Sequence, residues 1–223
     1  MVELRWLSHS AFEISSEKLV VYVDPYISGN PETPIRVEEI KKANYILVTH
    51  DHFDHLGDAI TIAKNTGAKI VVVPELAEKL GKEGVSVVAP NMGSMIKLEE
   101  NFSVGMVQAF HTSTIGAPVG FVFTVNGKTF YHAGDTCLFG DMKLIGEIYK
   151  PEVALLPIGG YYTMGPKEAA IATSLLKPKV VIPMHYRTFP VLEQNADKFV
   201  DEVKKITPEV KVVVLKPGEK FEI

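Results

Sequence analysis

Short segments of alternating or continuous apolar residues recur at 3–7, 11–15, 19–24, 45–49, 69–73, 94–98, 102–110, 121–125, 128–132, 153–157, 180–184 and 211–215, and each reads as a strand. Apolar residues at helical spacing mark 56–65, 75–82, a short stretch near 141–149, 167–176 and 196–206. In the last of these Phe199, Val200, Val203 and Ile206 share one face, with charges elsewhere. About a dozen strands are too many for one flat open sheet. They cluster first, alternate with helices, cluster again around 94–132, and alternate once more to the end. Two sheets packed face to face with helices outside would bury this pattern, which predicts an α/β fold of the four-layer αββα sandwich type. No linker rich in Pro, Gly or Ser divides the 223 residues, so a single domain over 1–223 is expected. The stretch 24–34 (DPYISGNPETP) reads as a loop rich in turn-formers, a connection before it is a flap.

Composition narrows the function classes. A net charge of −4, a pI near 6.0 and scattered lysines give no basic footprint, so nucleic acid is not expected as a partner. The opening Met1 to Leu7 lacks a basic region followed by an apolar one, and no apolar run approaches the roughly 18–20 residues of a membrane span. A soluble, cytoplasmic protein is the expectation. One cysteine, Cys137, excludes an internal disulfide and any zinc cluster built on several thiolates. Twenty lysines with two glutamines lean toward a heat-adapted source.

The chemistry concentrates in Thr49-His50-Asp51-His52-Phe53-Asp54-His55, directly after the apolar run Tyr45-Ile46-Leu47-Val48. The cluster therefore sits where a strand gives way to a helix, the usual place for α/β active sites. On an extended backbone residues i and i+2 point the same way, so His50 and His52 can grip one ion, while Asp54 and His55 face elsewhere. Four ligands from six residues crowd a single tetrahedral ion but divide naturally between two. Distant partners lie at the ends of other predicted strands: His111, Asp135 within HAGDT, and His185. Each alone reads as a capping Asp or a core His; together they read as a site.

This ordered set resembles the five-motif signature of the metallo-β-lactamase superfamily of metal-dependent hydrolases, across nearly the whole chain. The resemblance implies one metal on His50, His52 and His111, a second on Asp54, His55 and His185, and Asp135 bridging them. Two divalent ions per chain follow, with zinc expected and Mn, Fe or Ni compatible with imidazole and carboxylate ligands. It further implies hydrolysis by a metal-activated hydroxide at a dinuclear site, acting on a small-molecule ester, lactone or phosphate ester. Flavin-linked diiron relatives carry a carboxylate where His52 stands and a flavodoxin-like domain, so oxygen chemistry is disfavoured. The opening Trp6-Leu7-Ser8-His9-Ser10-Ala11-Phe12 resembles the WxGHSxF start of a subgroup containing sugar lactonases, with Ser8 in place of glycine. The small UPF0173-type hydrolases are the nearest resemblance.

Other residues hold open roles. His9 is the preferred proton donor, against a hydrogen-bonding role; His132 reads as packing or as support for a ligand; Asp24 either orients a ligand histidine or starts a turn. Gly159-Gly160 could line a substrate mouth, Arg187 could grip an anion or serve a surface ion pair, and Met164, Tyr161 and Tyr162 could form an apolar wall or pack. The alternatives are a phosphodiesterase or ribonuclease of the tRNA-processing type, which would need an added substrate arm, and a non-catalytic metal-binding scaffold, which an intact ligand set argues against. Homo-oligomer formation is left open.

Overall fold

The computed structural model describes residues 1–223. The first part of the chain forms β1 (Glu3–Trp6), β2 (Phe12–Ser15), β3 (Val20–Val23), β4 (Tyr45–Leu47), α1 (Phe53–Leu56), α2 (Ala59–Thr66), β5 (Lys69–Val71), α3 (Pro74–Gly81) and β6 (Val87–Val88). The rest forms β7 (Ile96–Glu99), β8 (Phe102–Gln108), β9 (Val119–Val125), β10 (Lys128–His132), α4 (Met142–Tyr149), β11 (Val153–Pro157), α5 (Pro166–Leu176), β12 (Val180–Met184), α6 (Asp197–Ile206), β13 (Lys211–Val212) and β14 (Lys220–Glu222).

Two seven-stranded sheets result, ordered β14-β1-β2-β3-β4-β5-β6 and β13-β12-β11-β10-β9-β8-β7. Each is part parallel, β3 to β6 in one and β10 to β13 in the other, and antiparallel in its remaining pairs. The parallel strands β4 and β11 are buried at every position, as strands covered on both faces must be. Helices α2 and α3 lie against β5 and β6, and α5 lies against β11 between α4 and α6, giving the expected αββα layers. One cluster of 64 buried apolar residues draws on both sheets and their helices.

The structure departs from the sequence pattern in three places. The helix expected over 56–65 is broken: Gly57 takes φ 44°, and a Cβ there would meet the Pro25 carbonyl oxygen at 2.4 Å. The Asp58 carboxylate then accepts from the Ile27 and Ser28 amides at 3.1 and 2.7 Å, which pins the 24–34 loop to the α1–α2 junction. Strands β6 and β14 were not predicted, because they are two and three residues long and qualify by backbone pairing at a sheet edge. The strand expected at 94–98 lies at Ile96–Glu99.

A candidate metal centre at the carboxyl ends of the strands

The parallel registers align the carboxyl ends of neighbouring strands, so residues far apart in sequence emerge together. Asp24 follows β3, and Thr49 to His55 follow β4; Asp135, Gly159 and His185 follow β10, β11 and β12, and His111 follows the antiparallel β8. His52 precedes α1 in extended geometry, and Asp54 and His55 lie in its single turn. All seven residues expected as ligands converge. Ligand atoms of His50, His52 and His111 lie within 4.8 Å of one another, as do those of His9, Asp54, His55 and His185, and those of His50, His55 and Asp135.

Asp135 stands between the sets. Its Oδ1 faces His55 Nε2 at 3.2 Å, and its Oδ2 faces His185 Nε2 at 3.1 Å and His111 Nε2 at 3.4 Å. Burial would raise this carboxyl, but the surrounding His185 and His55 hold it well below the usual carboxylate range. Burial, with His55 next in weight, pushes His50 down and keeps its ring neutral, the form that binds a cation. His55 is also opposed by burial, yet Asp135 and Asp24 on either side raise it well above its ordinary value.

The supporting residues were only partly visible in the sequence. Asp24, at φ 44°, accepts the Thr49 amide at 2.8 Å through Oδ1, and through Oδ2 the Thr49 hydroxyl and His55 Nδ1, each at 2.7 Å. It holds the His55 ring in place, as the first of its two expected roles requires. Thr49 Oγ1 lies 3.0 Å from His50 Nδ1, so it can pass the same orientation to His50. Asp51, which is not among the ligands that the resemblance implies, accepts the Ser113 hydroxyl at 2.9 Å and the Thr114 amide at 2.8 Å, tying the His111 loop to the motif. Thr49, Asp51 and Thr188 gave no sequence signal as support, since their partners are remote.

His9 is fully buried. Its Nε2 lies 3.1 Å from Asp54 Oδ2 and its Nδ1 contacts Thr188 Oγ1. Burial and the adjacent His185 push it down to about 4. Burial would raise the Asp54 carboxyl, but the His9 hydrogen bond, with His55 and His9 beside it, lowers it. Ser8, at φ 82°, occupies a conformation that favours glycine, and the turn still closes by an Ala11 amide to Ser8 carbonyl bond of 3.0 Å.

His132 is also buried. Its Nε2 lies 2.9 Å from the Ser10 carbonyl, and its Nδ1 accepts the Gly134 amide at 3.1 Å, so it ties β10 to the N-terminal turn. Gly159 packs so closely that a Cβ would meet the His185 carbonyl oxygen at 2.3 Å. Arg187 pairs with Glu32 at 2.9 Å on the surface and does not line the cleft. Met164 is buried, whereas Tyr161 and Tyr162 are exposed.

The donor set fits divalent cations. His55 Nε2, Asp135 Oδ1 and both ring nitrogens of His185 are buried, and although both Nε2 atoms stand within 3.2 Å of the Asp135 carboxylate, none of these atoms makes an aligned hydrogen bond, in a fold where such atoms are normally satisfied. Imidazoles and carboxylates without thiolate suit zinc and the other first-row divalent ions.

Comparison with known proteins agrees. The family model described as "Beta-lactamase superfamily domain" matches residues 20–186. A UPF0173 metal-dependent hydrolase of Caldivirga maquilingensis is 50% identical over 218 residues, 97% of this chain and 96% of the relative. The solved structure of Igni18, a metallo hydrolase from Ignicoccus hospitalis, is 39% identical, with TM-score 0.93 over 100% of this chain and 99% of its own. At 12% identity, the metallo-β-lactamase fold protein YhfI of Bacillus subtilis shares the fold, with TM-score 0.78 over 99% of this chain and 98% of its own. With the fold, the family motifs and near-complete coverage in agreement, the chain belongs to the UPF0173 metal-dependent hydrolases of the β-lactamase superfamily.

Proposed function

We propose that this chain, acting as one domain over residues 1–223, hydrolyses a small ester, lactone or phosphate ester at a dinuclear centre. The observation that carries the reading is the grouping of His50, His52 and His111 apart from Asp54, His55 and His185, with Asp135 in reach of His111 on one side and of His55 and His185 on the other. His50, His52 and His111 would hold one ion and Asp54, His55 and His185 the other, with Asp135 shared. Zinc suits the set best, and Mn, Fe or Ni are compatible. When bound, such ions supply an acidified water and stabilise the charge that develops on the substrate oxygen.

The chain's own residues orient and exclude. Asp24 fixes the tautomer of His55 so that Nε2 faces the centre, and Thr49 does the same for His50. His9, backed by Thr188, holds the Asp54 carboxylate. Because His9 is buried behind Asp54 and does not line the cleft, its position supports orienting Asp54 over delivering a proton to a leaving group.

The test is elemental analysis with a hydrolysis panel of esters, lactones and phosphate esters. Two equivalents per chain, and Asp54→Ala that loses hydrolysis while keeping one equivalent, are expected. Full activity at one equivalent, or fewer than one bound at saturation, would overturn the dinuclear reading.

A further inference from the structure

The cleft over the centre has a volume of about 540 Å³ and is lined by His52, Asp54, His111, Thr112, Asp135 and His185 together with three aromatic rings. The rings come from three separate segments: Phe53 from the first residue of α1, Tyr162 from the loop after β11, and Phe189 from the loop after β12. Phe53 is 68% exposed and Tyr162 53%, with Tyr161, 69% exposed, packed edge-on against Tyr162 at 4.8 Å. Folding alone does not call for large rings held in water around a cleft, and such patches commonly mark where an apolar group binds. Phe53 is held upright from both sides, by Tyr26 at 5.7 Å and Phe189 at 6.3 Å between ring centroids.

The charges of the cleft point the same way. No lysine or arginine lines it, and Arg187, two residues after His185, is committed to Glu32 at 2.9 Å. Outside the candidate metal donors the cleft offers a phosphate or a second carboxylate only the neutral Thr112 and Tyr162 hydroxyls. Sites built for such groups use arginine forks or lysine.

We propose, resting on the hydrolase reading above, that the substrate is an uncharged carbonyl ester or lactone whose acyl or alcohol part is an alkyl chain or aryl ring seated among Phe53, Tyr162 and Phe189. The water oxygen bonds to the carbonyl carbon and the ester C–O bond breaks. One water proton ends on the alcohol oxygen, and the other is released as the acid ionises. Phosphodiesters and acidic acyl groups are disfavoured.

The experiment uses the metal-loaded chain with 4-nitrophenyl acetate, hexanoate and hemisuccinate, and with bis(4-nitrophenyl) phosphate. We expect kcat/KM to rise about tenfold from acetate to hexanoate, as partial burial of four methylenes implies, and to fall for the hemisuccinate. The Phe53→Ala/Tyr162→Ala double variant should lose most of the chain-length preference, chiefly through KM. Preference for the phosphodiester or the hemisuccinate, or a chain-length preference untouched in the double variant, would overturn the proposal. Calorimetric binding of hexanohydroxamate against acetohydroxamate reads the same surface without turnover. About tenfold tighter binding of the longer probe, lost in the double variant, supports the apolar seat even if no ester is cleaved and the hydrolase reading fails. Equal binding of the two probes overturns it.

Discussion

Replacing Asp24 with Asn isolates the carboxylate's charge and leaves its shape. The position sits at φ 44°, which Asn tolerates, so the backbone has no reason to move. Asp24 accepts three hydrogen bonds, from the Thr49 amide, the Thr49 hydroxyl and His55 Nδ1. An amide can satisfy the first with its oxygen, and the rotatable Thr49 hydroxyl can turn to accept from the NH₂. His55 cannot adapt so freely. Facing an NH₂, its Nδ1 must become the acceptor, which moves the ring proton to Nε2, the nitrogen that faces Asp135 at 3.2 Å. The flipped amide restores His55 but sets an NH₂ against the Thr49 amide, two donors in a buried site. Losing an orienting partner of this kind typically costs tenfold to a hundredfold in metal affinity, or about 1.4–2.7 kcal/mol. The loss should fall mainly on the set containing His55, with a smaller effect on His50 through Thr49. Competition against a graded series of chelators, read by elemental analysis, gives both affinities. A melting curve in excess metal reports whether the fold survives. Wild-type affinity for both equivalents in a folded Asp24→Asn protein would refute the view that this carboxylate sets the His55 tautomer.

Gly159→Ala should destabilise the chain by about 1–3 kcal/mol, the usual range for overpacking, and weaken metal binding through His185, since its Cβ would stand 2.3 Å from the His185 carbonyl oxygen. Gly81→Ala, with nothing within 4 Å of the added carbon at the end of α3, is the control and should stay within about 1 kcal/mol by denaturant titration. Equal behaviour of the two would remove the close-approach explanation. Stripping the metal should lower Tm, and readdition at about a hundredfold over Kd should restore about 2.7 kcal/mol per occupied site at 25 °C. A Tm indifferent to metal concentration would show that the orphaned atoms of His55, Asp135 and His185 do not receive an ion.

The core was legible because burial writes itself into side-chain pattern: the apolar run Tyr45 to Val48 marks β4, and Val153 to Pro157 is β11 to the residue. β14 was not, since Lys220 and Glu222 are exposed and only main-chain bonds to β1 make the segment a strand. The break at Gly57 depends on where the Pro25 carbonyl comes to rest, 32 residues earlier in the chain, a separation no local pattern carries. The seven candidate donors were readable as chemistry, because such residues close together or at predicted strand ends rarely serve packing. The roles of their supports were not. Asp24 is as plausible at the start of a turn as behind a histidine until β3 and β4 are placed side by side, and Thr188 is silent until it meets His9.

The turn holding Ser8 and His9 also bears on the order of folding. His9 meets Thr188 across 179 residues, the His185 amide donates to the His9 carbonyl, and the strand before the turn pairs with β14, where Glu3 lies opposite Glu222. Each of these closures joins distant parts of the chain and carries a large entropic cost before its contacts form. High contact order of this kind slows folding, and the contacts that set His9 join one sheet to the other. The local motif from His50 to His55 can form early, yet Asp54 lacks its His9 partner until those closures are made. The complete centre thus depends on the most sequence-distant contacts of the fold, and in refolding a probe of the Asp54, His55 and His185 group is expected to recover later than a backbone signal.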